Sequence, residues 1–377
     1  VLLSPVRDWQ APFGQGPSAE DPYGPRQSWT PEVGQSANIS AFIFRDSDRN
    51  GAYGFGDVPL VGILVRLWRP NGTVISRRSN ASGFANFTTS SNDQGADVSV
   101  EGTYLFEVIA PDGWKITTDN GRLTVPFDAV ADSRAGIVAG FVPAPVGLVQ
   151  NLSVTGTVAV RSGNGKLRPA VGAQVRIRSP GIDLVTKTTG EDGTYWASLE
   201  EGRWEIEVFG RGGTRTAPRA IEVRQAPVVV STIVLGSDAV DHAPTDTQTV
   251  GFDNITSGGI SKVPNGLAGL AWTNLIATHK DFYQGEGYVN GCISGDYVGY
   301  NTSGYPVFVE HPEGFDFLGG YLGGAWLTAQ GEVLRITAWR AGEVAFAQEV
   351  KLSAVGPLWF DAQFRDITRL KMATAHY

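Results

Sequence analysis

Glycine and proline interrupt this chain so densely, 48 and 21 times in 377 residues, that few stretches of ten residues could propagate a helix. Between the interruptions lie short runs rich in β-branched and aromatic side chains: "NISAFIF", "VGILVRLW", "GFANFTT", "GTYLFEVIA" and "AGIVAGFV". They recur about every eight to twelve residues, the spacing of strands in a β-sandwich. The chain is therefore expected to be all-β.

Composition narrows the partners. With 30 basic against 38 acidic residues the net charge is -8, and no block of consecutive basic residues offers a nucleic-acid groove its electrostatic footprint. Divalent cations suit such a surface better than phosphates. The single cysteine, Cys292, rules out an intrachain disulfide and any zinc site built on paired cysteines, and is expected to fill core. No apolar run approaches the roughly eighteen residues of a membrane span.

Four segments follow from texture. Residues 1–37 are rich in Pro, Gly and polar side chains and read as an extended N-terminal arm that cannot close a core. Residues 38–143 carry the strand runs above. After the stiff linker "PAPVGLVQ", residues 150–236 repeat the plan on a smaller scale through "SVTGTVAV", "GAQVRIRS" and "GRWEIEVFG". A linker of acidic residues and Pro then leads to residues 247–377, richer in Gly, Tyr and Trp and read as jelly-roll-like. The expected architecture is three tandem β-sandwiches, Ig-like or transthyretin-like and then jelly-roll-like, behind the arm.

One stretch carries metal chemistry. In "FRDSDRNGAYGFGDVPL" the oxygens of Asp46, Asp48 and Asn50 alternate, Gly51 permits a sharp turn, and Asp57 closes a window the length of a calcium loop. The expected Ca2+ ligands are the side chains of Asp46, Asp48, Asn50 and Asp57, the Ala52 carbonyl and a water near Gly54. Such loops usually join helices, whereas both flanks here read as strands. The bland alternative is a solvated acidic turn. Asp in place of Glu at the closing position shortens the reach and points to weak affinity, on the order of 10⁻⁴ to 10⁻³ M. "TGEDGTY" around Glu191 and Asp192 has too few spaced oxygens and reads as a turn. Asp253 and Asn254 are a weaker second candidate for a structural ion.

The first unit resembles the calcium-binding B-type repeats of staphylococcal Sdr surface proteins through "FRDSDRNGAYGFGDVPLVGILVRLW", "SNASGFANF" and "GTYLFEVIAPDGW". The resemblance implies an extracellular stalk module in which calcium pins the first strand connection. Some related domains carry a lysine–asparagine crosslink, but Phe44 and Arg45 stand where the lysine would be wanted. The second unit looks like a carboxypeptidase regulatory-like domain, a small transthyretin-like sandwich, through "GTVAVRSGNGKLRPAVGAQVRIRS" and "TKTTGEDGTYWASLEEGRWEIEV". That implies a spacer or adhesive module and no peptidase activity. The third is similar to secreted bacterial and fungal β-sandwich domains through "FDNITSGGISKVPNGLAGLAWTN" and "GFDFLGGYLGGAWL". In those a further strand is expected just beyond "TAHY", so a sandwich ending at Tyr377 is expected to leave an open edge.

Catalytic constellations are missing from the pattern. The four histidines are scattered without zinc spacing, and "SGDY" and "NTSGY" lack the strand–turn–helix setting of a serine nucleophile. Glu310 and Asp316 are read as surface carboxylates rather than a glycosidase pair. Trp272, Trp326 and Tyr300, within a dense set that includes Tyr283 and Tyr288, form a candidate carbohydrate platform. Seven Asn-x-Ser/Thr sequons would suit a secreted, glycosylated protein.

The leading expectation is a non-enzymatic structural protein of a cell-surface stalk, matrix or filament, located outside the cell. Its partners would be further copies or other cell-surface proteins, assembled by donor-strand exchange of the arm into the last unit. The alternative is a carbohydrate-binding accessory module of a larger secreted polysaccharide-degrading enzyme.

Overall fold

The computed structural model describes residues 38–88, 97–98, 102–127, 145–180, 182–236 and 247–374. The arm, residues 1–37, lies outside them. The regular structure of the described residues is nearly all strand, as the punctuation predicts, and the chain divides into two compact units, Val1–Val149 and Gln150–Tyr377.

Among the described residues of the first unit, nine strands form two sheets: β1 (Asn38–Arg45), β2 (Val58–Pro59), β3 (Leu64–Trp68), β4 (Val74–Arg78), β5 (Phe84–Thr88), β6 (Gly102–Ile109), β7 (Trp114–Ile116), β8 (Arg122–Phe127) and β9 (Val146–Gln150). One sheet runs β2-β1-β9-β7 with β5 also on β1, and the other runs β4-β3-β6-β8. Phe87 on β5 meets Phe106 on β6 edge to face at 5.3 Å, which joins the two sheets into a sandwich. Alternation is clean on β6, where Tyr104, Phe106 and Val108 point inward. It fails on β1, where Ala41 through Arg45 are all buried. The cause is the β1–β2 loop. Its Tyr53 packs edge-on against Phe42 and Phe44, at 4.9 and 5.0 Å, and covers a second face of the strand.

The second unit continues with β10 (Ser153–Arg161), β11 (Leu167–Pro169), β12 (Gln174–Ser179), β13 (Ile182–Thr188), β14 (Thr194–Ser198), β15 (Gly202–Phe209), β16 (Arg219–Val223) and β17 (Val228–Leu235). Sheet β13-β12-β15-β16 shares one core with β10, β14 and β17, centred on Trp204, Ile206, Val175, Ile177, Val154 and Val230. Beyond residue 247 come β18 (Ile260–Lys262), β19 (Ala271–Thr273), β20 (Leu275–His279), β21 (Tyr297–Asn301), β22 (Val307–Leu322), β23 (Val333–Arg340), β24 (Glu343–Lys351) and β25 (Leu358–Thr374).

One sheet crosses from the second sequence segment into the third. Its order is β11-β10-β17-β25-β22-β19, and the crossing is the parallel pair β17–β25, with Val228, Val229 and Val230 opposite Trp359, Phe360 and Asp361. Side chains interlock across the junction: Trp359 packs on the Trp204 core and Val229 on the core around Phe360. Polar contacts bind it further. Arg219 donates through Nε to Asp361 at 2.9 Å and through a terminal nitrogen to the Asp361 carbonyl at 2.6 Å. The Ser231 hydroxyl donates to the Ala362 carbonyl at 2.7 Å, and Gln348 Oε1 accepts from the Thr232 backbone and hydroxyl at 3.0 and 2.7 Å. Thr232 lies just past the last residue of β17 paired with β25, so Gln348 caps backbone that the sheet leaves open.

Candidate metal centre

The β1–β2 loop is clamped at its base by the strand pairing itself. Phe44 pairs with Pro59 and Arg45 with Val58, so Asp46 and Asp57 begin and end the loop side by side. Asp46 N–H also bonds to the Leu148 carbonyl of β9 at 3.0 Å. Asp46 is fully buried and Asp57 nearly so, while Asp48 is exposed.

The carboxylates are pre-oriented by the backbone they cap. Asp46 accepts from Asn50 N–H and Gly51 N–H at 3.1 and 2.9 Å, and Asp57 accepts from Ser47 N–H and Gly54 N–H at 2.7 and 2.9 Å. Asp48 accepts from the backbone and side-chain nitrogens of Asn50 at 3.1 and 2.7 Å, and Asn50 Oδ1 accepts from Ala52 N–H at 2.7 Å. One oxygen each from Asp46, Asp48 and Asp57 lies within 4.8 Å of the others. Two oxygens about 2.3–2.6 Å from a Ca2+ ion and on opposite sides of it stand about that far apart. The donor set, all hard oxygen, suits the ion. Asn50 and Ala52 belong to the same hydrogen-bonded turn.

Electrostatics make Asp57 costly to ionise in this setting. Burial raises the Asp57 carboxyl from its ordinary 3.8 to about 6, against the bonds from Ser47 and Gly54, with Asp48 and Asp46 adding like-charge repulsion. Gly51 takes φ +74°, and a Cβ there would approach the Thr117 carbonyl at 3.3 Å. Gly147 of β9 is small for a different reason: a Cβ would sit 2.6 Å from Thr117 Oγ1, 2.8 Å from the Phe44 ring and 3.2 Å from Asp46 Cβ. Thr117 Oγ1 itself is buried without a hydrogen-bond partner among the described residues. Thr117 and Gly147 therefore belong to this neighbourhood, and neither carries a signal in the one-dimensional spacing.

The other candidates divide. Trp272 is 9% exposed, a member of the third segment's core with its indole N–H on the Leu267 carbonyl, so it is withdrawn from the sugar platform. Tyr300 and Trp326 do come together, through Tyr288 and Tyr283. Tyr288 lies 5.5 Å from Tyr300 and 5.2 Å from Trp326, and the Tyr283 and Tyr300 hydroxyls share a 2.8 Å hydrogen bond. Trp326 and Tyr283 remain 42% and 37% exposed. Cys292 is half-buried, its thiol against the Ser294 and Gly295 carbonyls, rather than core filling. Asp192 caps its own turn by accepting from Thr194, and Asp253 accepts from Asp296 N–H and Tyr297 N–H. Glu310 pairs with Arg369 and Asp316 with Arg365.

By build the chain is an all-β, multi-sheet protein. Neither a family model nor a curated protein matches it. Among solved structures it is similar to the Bacillus anthracis TIE protein, at 9% identity over 88% of this chain and 50% of that one, with a TM-score of 0.23. A streptococcal ancillary pilin gives 14% identity over 54% and 63%, with a TM-score of 0.24. The shaft pilin SpaA of Lactobacillus rhamnosus GG gives 14% over 55% and 99%, with a TM-score of 0.23. The chain thus spans half the length of the first and under two thirds of the second. At these identities and scores function has to be read from this chain's own residues.

Proposed function

We propose that this protein is a non-enzymatic structural module of an extracellular or cell-surface assembly, with Ca2+ fastening its first unit. The observation that carries the reading is the Asp46–Asp48–Asp57 cluster, two of its carboxylates buried and the third exposed, set between two strands and not between helices. A cation there ties the end of β1 to the start of β2. Because it binds the folded loop and not the unfolded chain, it adds stability by mass action. Residues Asp46, Asp48, Asn50 and Asp57, with the Ala52 carbonyl, would hold it. The resemblance to Sdr B-type repeats, and that of residues 150–236 to carboxypeptidase regulatory-like domains, fit a stalk of stacked modules. Donor-strand exchange of residues 1–37 into the last segment would extend the reading to a filament.

Calorimetry tests it. At millimolar Ca2+ and a dissociation constant of 10⁻⁴ to 10⁻³ M the gain is about 0.4–1.4 kcal/mol, or a few degrees in the melting of a unit this size. EGTA should remove that shift from the first unit and leave the second unchanged; an equal response in both would sink the assignment. The pH dependence has a defined sign. Asp57 has a folded pKa of about 6 against 3.8 unfolded, so between those values the metal-free fold holds a proton that the unfolded chain has lost. Metal-free stability should fall as pH rises through that window and level off above it. Ca2+ replaces the proton, so its apparent affinity should weaken as pH drops below about 6.

A second reading has an observation of its own. The exposed Trp326 and Tyr283, braced by Tyr288 and Tyr300, offer a small aromatic surface for a sugar ring. An insoluble-polysaccharide pull-down that retains the chain, and loses it on Trp326→Ala, would favour an accessory binding module. No retention on any polysaccharide would remove this reading.

A further inference from the structure

We propose that the outer edge of β22 between Phe315 and Leu322 is a self-association site, which pairs antiparallel with the same strand of a second copy. On its inner side this span is bonded to β25 from Ile367 back to Leu358. On its outer side β19 covers only Phe308 to Glu310, and no described backbone group bonds to Phe315–Leu322. Natural edges of this length are blunted by bulges, prolines or charges. β22's own extra residues, 311–314, come just before this span; within it the irregularities fall on the inner partner, since residues 315, 317 and 319 oppose 367, 364 and 361 and the extra residues belong to β25, where Gln363 and Asp366 take positive φ. The outer edge stays regular. It contains no proline, and its one charge, the exposed Asp316, leans toward β25 to accept from Arg365 and from Asp366 N–H.

Two adjacent glycines give the second observation. Gly319 has a reason within the subunit, because a Cβ there would lie 2.4 Å from the Phe360 carbonyl and 2.7 Å from Trp359. Gly320 has none. Its φ lies outside the left-handed range, and its Cβ would meet nothing nearer than Phe317 at 3.9 Å. Glycine weakens a strand, and one that the monomer does not require marks a place where another chain approaches.

The same strand of a second copy fits that space. An edge-to-edge pair about a two-fold axis at Gly319 sets Leu318 opposite the second copy's Gly320 and Phe317 opposite its Tyr321. Each is repeated by symmetry, with large residues facing glycine and aromatic facing aromatic. The N-terminal arm fits less well. Its six prolines leave at most six consecutive residues between them, short of the eight-residue edge. This inference goes beyond the stalk reading, since like-with-like pairing needs neither calcium nor the arm.

Sedimentation velocity on the full chain at micromolar concentrations should show a reversible dimer. Gly320→Val should keep or raise the melting temperature, because the space is open and valine favours strands, yet weaken dimerisation on the order of tenfold or more. Leu318→Lys should do the same by placing a charge on the edge. A wild-type chain that stays monomeric, or a dimer that both variants leave intact, would overturn the proposal. A dimer lost on deleting residues 1–37 but kept in both variants would assign the association to the arm. Loss of the EGTA response with the dimer intact would count against the calcium reading alone.

Discussion

Asp361→Ala should lower the melting temperature of the second unit by roughly 6–12 °C, the equivalent of about 3 kcal/mol in a unit of this size. Asp361 is 6% and Arg219 14% exposed at the side chain, so the alanine strands a guanidinium that is largely cut off from water. Gln363 also loses an acceptor at 3.2 Å. Arg219→Met should cost a similar amount by leaving the carboxylate unpaired. The double variant Arg219→Met with Asp361→Leu should cost less than either single change, because both charges leave together. The first unit's transition should stay in place throughout. A loss under about 1 kcal/mol would mean that the pair behaves as a solvated surface bridge.

Asp46→Ala should also destabilise the first unit, by about 1–3 kcal/mol, and should abolish its response to Ca2+ and EGTA. The stability loss needs no metal: Gly51 N–H loses its acceptor at the half-buried turn, at a cost of about 1–3 kcal/mol, while Asn50 N–H keeps its bond to Asp48. Asp48→Ala separates the two roles. Asp48 is exposed, so its removal should cost little in EGTA while still erasing the calcium shift. A calcium shift that survives in both variants would place the ion elsewhere.

The loop was the most legible part of the sequence because its signal is local: alternating oxygens and one glycine within a dozen residues. Thr117 and Gly147 were not legible, since they reach the loop only after β9 has paired alongside β1. The aromatic candidates split for a similar reason. "LAWTN" and "GGAWL" look alike in hydropathy, and only the strand pairing of Trp272 with Val309 buries one indole while the other stays exposed. The acidic, proline-containing linker marks a change of texture, and a sheet nonetheless runs through β17 and β25, whose pairing residues lie 131 positions apart. Parallel pairing over that distance leaves no pattern for a local reading to find.

The direction of the strands bears on how such a chain would carry load. β1 and β9 are parallel, joined from Ile43–Val146 to Arg45–Leu148. In the second unit β10, β17 and β25 are all parallel, through six residue pairs and then three. A pull toward opposite ends of the chain therefore drags each first strand against its parallel neighbour along their common axis. The bonds of a ladder are then strained together and do not open one at a time. In the first unit Asp46 follows the last paired residue of that ladder, so a cation held there would act as a stop at the end of the sliding pair.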